Sequence, residues 1–242
     1  MASILKLDRL SKNFAGLAAL KDVSFEVEEG GLFGLIGPNG AGKTTLLSII
    51  AGSIQPTSGS IVFQGHDISG AKSYHAVRVG IARTHQIPKP FRGLSVLENV
   101  EVGLRFGHSK RPADKTKSGM EFLERVGLAP LYLMPASTLS VGDMKRLELA
   151  RTLAARPSLL LCDEVCSGLT ETEAASILEL LCDIRRAGTS ILYVEHNLRA
   201  IMSVCDRVIV MNSGQKLAEG PPEAVQNNPS VIEAYIGKRA GA

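Results

Sequence analysis

Hydrophobic positions along the chain fall into short runs separated by glycine-rich or polar turns, and their period changes several times. Residues 3–9 and 19–28 (ALKDVSFEVE) alternate apolar and polar side chains as strands do, with Lys12, Asn13 and Gly16 in the connection. They predict a small antiparallel sheet at the start of the chain. Residues 32–51, LFGLIGPNGAGKTTLLSIIA, are an apolar run, a glycine-rich turn and a second apolar run at helical spacing. After Pro56 and Gly59 come a strand (SIVFQG), a short helix over 71–79 and a strand over 81–84. Pro88, Pro90 and Gly93 then interrupt regular structure. Beyond them, 95–104 reads as a helix, 107–117 as a polar, basic, exposed connection, and 119–131 as helical again. A long amphipathic helix is expected over 140–155, a strand over 159–162, a helix over 171–186 and a strand over 190–194. The strand 207–211 comes last, before a turn at 212–214 and two short helices. Strands alternating with helices predict an α/β fold. Its core would comprise about residues 1–86 and 156–242, with a helical subdomain inserted over about 87–155, all in one domain.

Composition changes this picture little. The chain has 242 residues, of which 45% are hydrophobic and 21% charged, ordinary for a globular protein with a sizeable core. A net charge of +3 gives no reason to expect a nucleic-acid partner. The four cysteines, Cys162, Cys166, Cys182 and Cys205, form no C-x-x-C pair and have no histidine at zinc spacing, so buried thiols in a reducing cytosol are expected. No apolar run reaches the roughly 18 residues that a membrane-spanning helix needs. MASILKLDRL is interrupted by charges, unlike a signal peptide. The expectation is a cytosolic protein, or one that docks on a membrane through other subunits.

The glycine-rich turn carries the chemistry. Gly37, Gly42, Lys43 and Thr44 fit the phosphate-loop pattern of Gly, four residues, Gly-Lys-Ser/Thr. Gly37, Gly40 and Gly42 let the backbone come close to an anion. Amides from about Asn39 to Thr45, Ala41 among them, can then face phosphate oxygens at the positive end of the following helix. Lys43 would reach the β- and γ-phosphates and the Thr44 hydroxyl would ligate magnesium. Elsewhere, an apolar strand ends in Asp163, suited to orienting magnesium, with Glu164 beside it to activate a water. Gln86 and His196 each follow a strand, and in a parallel sheet such strand ends share one edge. Phe14, in the first connection, could stack on an adenine, although an aromatic there is more often core.

These residues, in this order, resemble the nucleotide-binding subunit of ABC transporters over nearly the whole chain. GPNGAGKTT at 37–45, including Pro38 and Thr45, looks like the first nucleotide motif and LLLCDE at 159–164 like the second. Gln86 matches the Q-loop, His196 the switch histidine, Phe14 the adenine-stacking aromatic, and LSVGD at 139–143 the signature LSGGQ. ARTHQ, VEHN and the tail LAEGPPEAVQNNPSVIEAYIG look like the branched-chain amino acid importer branch. The resemblance implies an ATPase with ATP and Mg2+ as cofactors, the metal held by Thr44, Gln86 and Asp163. Glu164 would be the general base, with His196 and Gln86 as catalytic partners. Two such subunits, identical or paralogous, would pack head-to-tail. Ser140, Val141, Gly142 and Asp143 of each would then face the γ-phosphate held by the other. Closure on ATP would drive two transmembrane permease subunits through the region 87–97, where Pro88, Pro90 and Phe91 present apolar surface. An extracytoplasmic solute-binding protein would take part indirectly. The implied location is the cytoplasmic face of the cell membrane, peripheral through the permease.

The chain departs from the family pattern in four places. Val141 replaces a glycine and Asp143 a glutamine of the signature, Val165 a proline, and Thr170 an aspartate. A β-branched residue where a glycine-only conformation is needed costs on the order of 1–3 kcal/mol, so contacts across the dimer are expected to be weakened. Two other readings stay open at this point: a regulatory ATP-binding subunit with weak turnover, and a soluble ABC ATPase acting in translation or DNA repair. The latter usually has two nucleotide domains or a long coiled insert, neither of which is present here.

Overall fold

Three five-residue strands with no exposed side chain form the middle of the molecule, as near-continuous runs of Leu, Ile and Val require when both faces of a sheet are covered. The computed structural model describes residues 2–108 and 115–236. In chain order, β1 (Ser3–Phe14) and β2 (Leu17–Glu28) make a long hairpin. β3 (Leu32–Ile36) enters the glycine-rich loop and α1 (Lys43–Ile50) leaves it. Then come β4 (Ser58–Phe63), β5 (His66–Asp67), α2 (Ser73–Val79) and β6 (Ile81–Arg83). The inserted helices are α3 (Val96–Phe106), α4 (Lys115–Arg125) and α5 (Val141–Ala154). β7 (Leu159–Asp163), α6 (Glu171–Arg186), β8 (Ser190–Val194), α7 (Leu198–Val204) and β9 (Arg207–Asn212) complete the parallel part. A hairpin to β10 (Gln215–Gly220), α8 (Pro222–Gln226) and α9 (Pro229–Ile236) close the chain.

The strands form two sheets, an antiparallel one in the order β2-β1-β4-β5 and a six-stranded one in the order β10-β9-β3-β8-β7-β6. All neighbours in the second are parallel except the antiparallel pair β10–β9. Alternate residues of the parallel strands feed two cores. Phe33, Leu35, Leu161, Leu192 and Val194 pack with α1 and the antiparallel sheet. Leu32, Ile36, Leu160, Ile191 and Tyr193 pack with α5, α6 and the other helices. The second core runs without a break from the sheet into α3 and α4 through Val96, Val100, Phe122 and Leu123, so the inserted helices share the core of the sheet.

Several elements differ from their sequence expectation. β1 continues through Lys12 and Asn13, because both pair with β2, and the connection shrinks to Ala15 and Gly16. β10 is a strand that QKLAEG does not advertise, since it lacks apolar alternation and is held by its hairpin to β9. α7, a seven-residue helix, begins where Asn197 Oδ1 accepts from the amides of Arg199 and Ala200. Helix α5 is not amphipathic: it lies between the sheet and α3, which buries Lys145, Glu148 and Thr152 together with Leu147, Leu149 and Leu153. Of the expected exposed connection over 107–117, residues 109–114 lie outside the described part. Among the described residues no helix is long and apolar enough to cross a membrane. All four cysteines are free, but only Cys162 and Cys205 are buried.

Candidate nucleotide site

The C-terminal ends of β3, β6, β7 and β8 converge on a cleft of about 590 Å³, as expected for a parallel sheet. Residues 39–45 of the glycine-rich loop line one side, and Gln86, Glu164 and His196 line the other. Two of the loop glycines are required by the protein's own packing. A Cβ on Gly37 (φ +148°) would lie 2.1 Å from the Met211 carbonyl oxygen, and one on Gly42 (φ +99°) 2.7 Å from that of Ala19. The loop is thus clamped between β9 and β2 before any anion arrives. The first amides of α1 have no carbonyl four residues back to bond, the first such contact being Leu46 N to Gly42 O at 2.9 Å. The Ala41 amide departs from expectation, because it donates to Pro38 O at 3.2 Å. Lys43 folds back over the loop, its Nζ 2.6 Å from Gly37 O and 3.0 Å from Pro38 O. Burial pulls its pKa below the ordinary lysine value, opposed by the charges of Glu164 and Asp163.

Opposite, the Glu164 carboxylate is gripped on both oxygens: Oε2 accepts from Gln86 Nε2 at 2.5 Å and Oε1 lies 2.5 Å from His196 Nε2. The three residues singled out as catalytic are therefore joined through Glu164. Glu164 itself adopts φ +50°, a left-handed conformation that non-glycine residues hold only when their surroundings impose it. Val165, where the family has proline, is buried in the helical-side core.

Asp163 is buried behind the cleft and paired with Arg83, a residue that the strand pattern did not single out. Arg83 Nη2 lies 2.7 Å from Asp163 Oδ2, and Nη1 donates to Ser48 Oγ at 2.8 Å. The signal was present in the sequence: an arginine inside the apolar strand Ile81-Ala82-Arg83. This pairing leaves Asp163 Oδ1 and Gln86 Oε1 without a hydrogen bond among the described residues. These two oxygens and the exposed Thr44 hydroxyl are hard donors, of the chemistry that suits Mg2+. Among the described residues no cluster of three or more His, Cys, Asp or Glu could hold a metal, and a magnesium held chiefly by phosphates and water needs none. Removing one partner of a buried ion pair costs about 3–5 kcal/mol. Arg83→Met is therefore expected to lower the melting temperature by on the order of 10 °C, to be read by calorimetry. A shift of less than about 2 °C would mean that Asp163 does not depend on this arginine.

Phe14 does not line the cleft. It ends β1, 42% exposed, with Lys12 Nζ 4.9 Å from its ring centre. Leu17, Lys21, Ser213 and Gly214 line the cleft instead, brought there by the bond from Lys21 N to Gly214 O at 2.8 Å. No sequence pattern marked them, since the contact joins two hairpins distant along the chain.

Ser140–Asp143 stands away from the cleft, at the start of α5. Ser140 Oγ accepts from the Asp143 amide at 3.1 Å and donates to Asp143 Oδ2 at 2.7 Å, so the N-cap hydroxyl is occupied by its own helix. Val141 is the first helical residue and has no positive φ. The expected backbone strain is absent there, because a helix N-terminus accepts any side chain. At Gly142 a Cβ would lie 2.6 Å from Glu173 Oε1, the far end of a flexible side chain that can move aside. Glu173 closes a capping box with Thr170 at the start of α6, which explains a threonine at that place. Hydrogen bonds from the Thr170 amide and hydroxyl hold the Glu173 carboxyl below its usual range. Two carboxylates thus border the signature.

A phosphate loop at the end of a parallel strand, facing a carboxylate clamped by Gln and His, defines a phosphate-loop ATPase. The family model described as ABC transporter matches residues 20–167, and a second, branched-chain amino acid ATP-binding cassette transporter, matches 215–241. The chain belongs to the ABC transporter family, as an ATP-binding, ATP-hydrolysing subunit coupled to transport. It is 37% identical to the high-affinity branched-chain amino acid transport ATP-binding protein LivG of Salmonella typhimurium, covering 97% of this chain and 98% of that one. It is 36% identical, at the same coverage, to the Pseudomonas aeruginosa counterpart BraF. The lipopolysaccharide export system ATP-binding protein LptB of Haemophilus influenzae is 32% identical, covering 98% of each chain. Among solved structures, a nucleotide-free ATP-binding cassette from an ABC transporter superposes with a TM-score of 0.89 at 30% identity, covering 98% of this chain and 100% of that one.

Proposed function

We propose that this chain energises an importer for branched-chain or related amino acids, as one of two ATP-binding subunits beneath two permease subunits at the cytoplasmic face of the membrane. The observation that carries the chemical part is the Glu164 carboxylate held between Gln86 and His196 across the cleft from Lys43. Lys43 leaves the loop carbonyls for the β- and γ-phosphates of ATP, and the amides at the start of α1 close around them. Thr44, Asp163 Oδ1 and Gln86 Oε1 hold Mg2+. That ion, when bound, neutralises charge developing on the phosphoryl oxygens. Glu164 takes the proton of the attacking water, and His196 turns to the γ-phosphate. Phe14 would reach an adenine only by moving over the cleft mouth, where Leu17 now stands.

The importer reading is supported by the match over 215–241 and by the greater identity to LivG and BraF than to the export relative. Disrupting the gene and following uptake of labelled leucine tests it, and undiminished uptake would remove the amino-acid assignment. Contact with the permease fits the groove of about 340 Å³ beside α3, bordered by Phe91 and Phe106, with the exposed Ile87 in the same connection as Phe91. Buried Asn99 holds this loop in shape, its Oδ1 accepting from Phe91 N at 2.8 Å and its Nδ2 donating to Phe91 O at 3.1 Å.

The self-engaged signature favours weak dimerisation of the chain alone and a better dimer opposite a paralogue. Ser140 must leave Asp143 to meet a phosphate, and the Asp143 charge opposes that phosphate. A like charge about 4 Å away costs about 1 kcal/mol even in bulk water, and a twofold dimer has two such sites. The double change Val141→Gly, Asp143→Gln is expected to raise the ATP-dependent dimer constant on the order of tenfold or more. Asp143→Gln should carry nearly all of the gain, since Val141 is unstrained. Light scattering in a Glu164→Gln background measures it, and no gain would leave the altered signature without consequence.

A further inference from the structure

Helix α5 directs three charged side chains inward at successive turns, and between them they bond two loops, the one that carries Glu164 and the one that carries Gln86. Lys145 Nζ donates to the carbonyl oxygen of Glu164 at 3.0 Å. Glu148 Oε1 accepts from the backbone N–H of His85, the residue before Gln86, at 2.8 Å. Arg151 Nη1 donates to Lys89 O at 2.9 Å, and its Nη2 lies 3.9 Å from Glu148 Oε1. Lys145 and Glu148 are only 5% and 4% exposed. Charged groups at that depth are costly unless bonded, and apolar residues would pack the same helix more simply. What they hold is the backbone on which Glu164 and Gln86 are carried. The strained φ of Glu164 is fixed from both sides, its N–H donating to Val194 O at 2.9 Å and its C=O accepting from Lys145.

We propose that Lys145 and Glu148 are positioning residues for hydrolysis, Lys145 holding the backbone of Glu164 and Glu148 that of the Gln86 loop. One rigid helix then sets the separation of the two side chains that meet on this wall of the cleft. Its first turn is the signature, so a phosphate bound there acts on a body that also grips Glu164 and the Gln86 loop, about 6 and about 10 Å along the axis at 1.5 Å per residue. The proposal rests on Glu164 being the base.

The test uses the full-length chain with Mg-ATP. Lys145→Met keeps the side chain's length and loses the donor. It should lower kcat at least tenfold while KM and the affinity for a fluorescent ATP analogue stay within twofold, and Lys145→Arg should restore most of the rate. Deuterium uptake of Lys145→Met should rise over residues 163–167 and stay unchanged over 37–45. Turnover within threefold of the parent, or a loss of ATP affinity equal to the loss of rate, overturns the proposal. If Lys145→Met does not fold, Glu148 decides. Glu148→Gln, which keeps an oxygen for His85 N–H, should turn over within threefold of the parent, and Glu148→Leu at least tenfold slower with unchanged ATP affinity. Equal rates in these two overturn it. Glu164→Gln is run alongside. If it is inactive while Lys145→Met is not, only this proposal fails; if it is fully active, the assignment of the base fails.

Discussion

Lys43→Ala is expected to abolish ATP binding at concentrations that saturate the parent chain. Lys43 is the one side-chain cation of the loop, and on the proposed reading it is the cation that reaches the β- and γ-phosphates in a site otherwise built from amides. A hydrogen bond to a charged group contributes about 1.5–3 kcal/mol. Losing two of them raises the dissociation constant by on the order of 100-fold or more. The variant should fold normally. The carbonyls of Gly37 and Pro38, which Lys43 now caps at 2.6 and 3.0 Å, lie beside an open cleft where water can replace it. Burial lowers the Lys43 pKa and the charges of Glu164 and Asp163 oppose that shift, and a bound phosphate would act in the same direction as the carboxylates. Equilibrium titration with a fluorescent ATP analogue, with a thermal melt in parallel, measures this. Unchanged affinity in a folded variant would remove the phosphate-loop assignment.

What the sequence made legible follows from which constraints are local. The phosphate loop, Asp163, Glu164, Gln86 and His196 all sit where a strand ends, and strands buried on both faces announce themselves as apolar runs. Their convergence on one cleft is then a consequence of parallel pairing. The residues that hold them do not announce themselves. Lys145 and Glu148 acquire their meaning from contacts 19 and 63 positions away in the chain, and without those contacts they read as ordinary surface charges. The amphipathic reading of α5 failed for the same reason, since a helix between a sheet and other helices buries polar side chains along with apolar ones. Val141 shows the opposite error. Comparison with the family motif suggested strain, whereas the backbone there is plain helix.

Glu164→Gln is expected to keep ATP affinity and to lose turnover by roughly 100-fold or more, the scale of removing a positioned general base. The change is nearly isosteric, but an amide offers one oxygen where the carboxylate offers two. Of the contacts with Gln86 Nε2 and His196 Nε2, both 2.5 Å long, only one can be kept unless the partner turns. The contact that is kept holds the cleft in shape, and the backbone bond from Lys145 is untouched. Nothing in the phosphate loop contacts the altered atoms through a hydrogen bond, which is why binding should survive. The amide cannot accept the proton of the attacking water, so hydrolysis stalls with ATP in place. If hydrolysis is what opens the closed pair, the ATP-bound dimer should then accumulate, visible as a doubled mass in light scattering that EDTA or ADP reverses. Phosphate release and scattering are measured on the same sample, so a variant that binds and does not dimerise is told apart from one that fails to bind. Near-normal turnover would move the base elsewhere, and His196, 46% exposed at the side chain and already facing the cleft, is the first residue to examine.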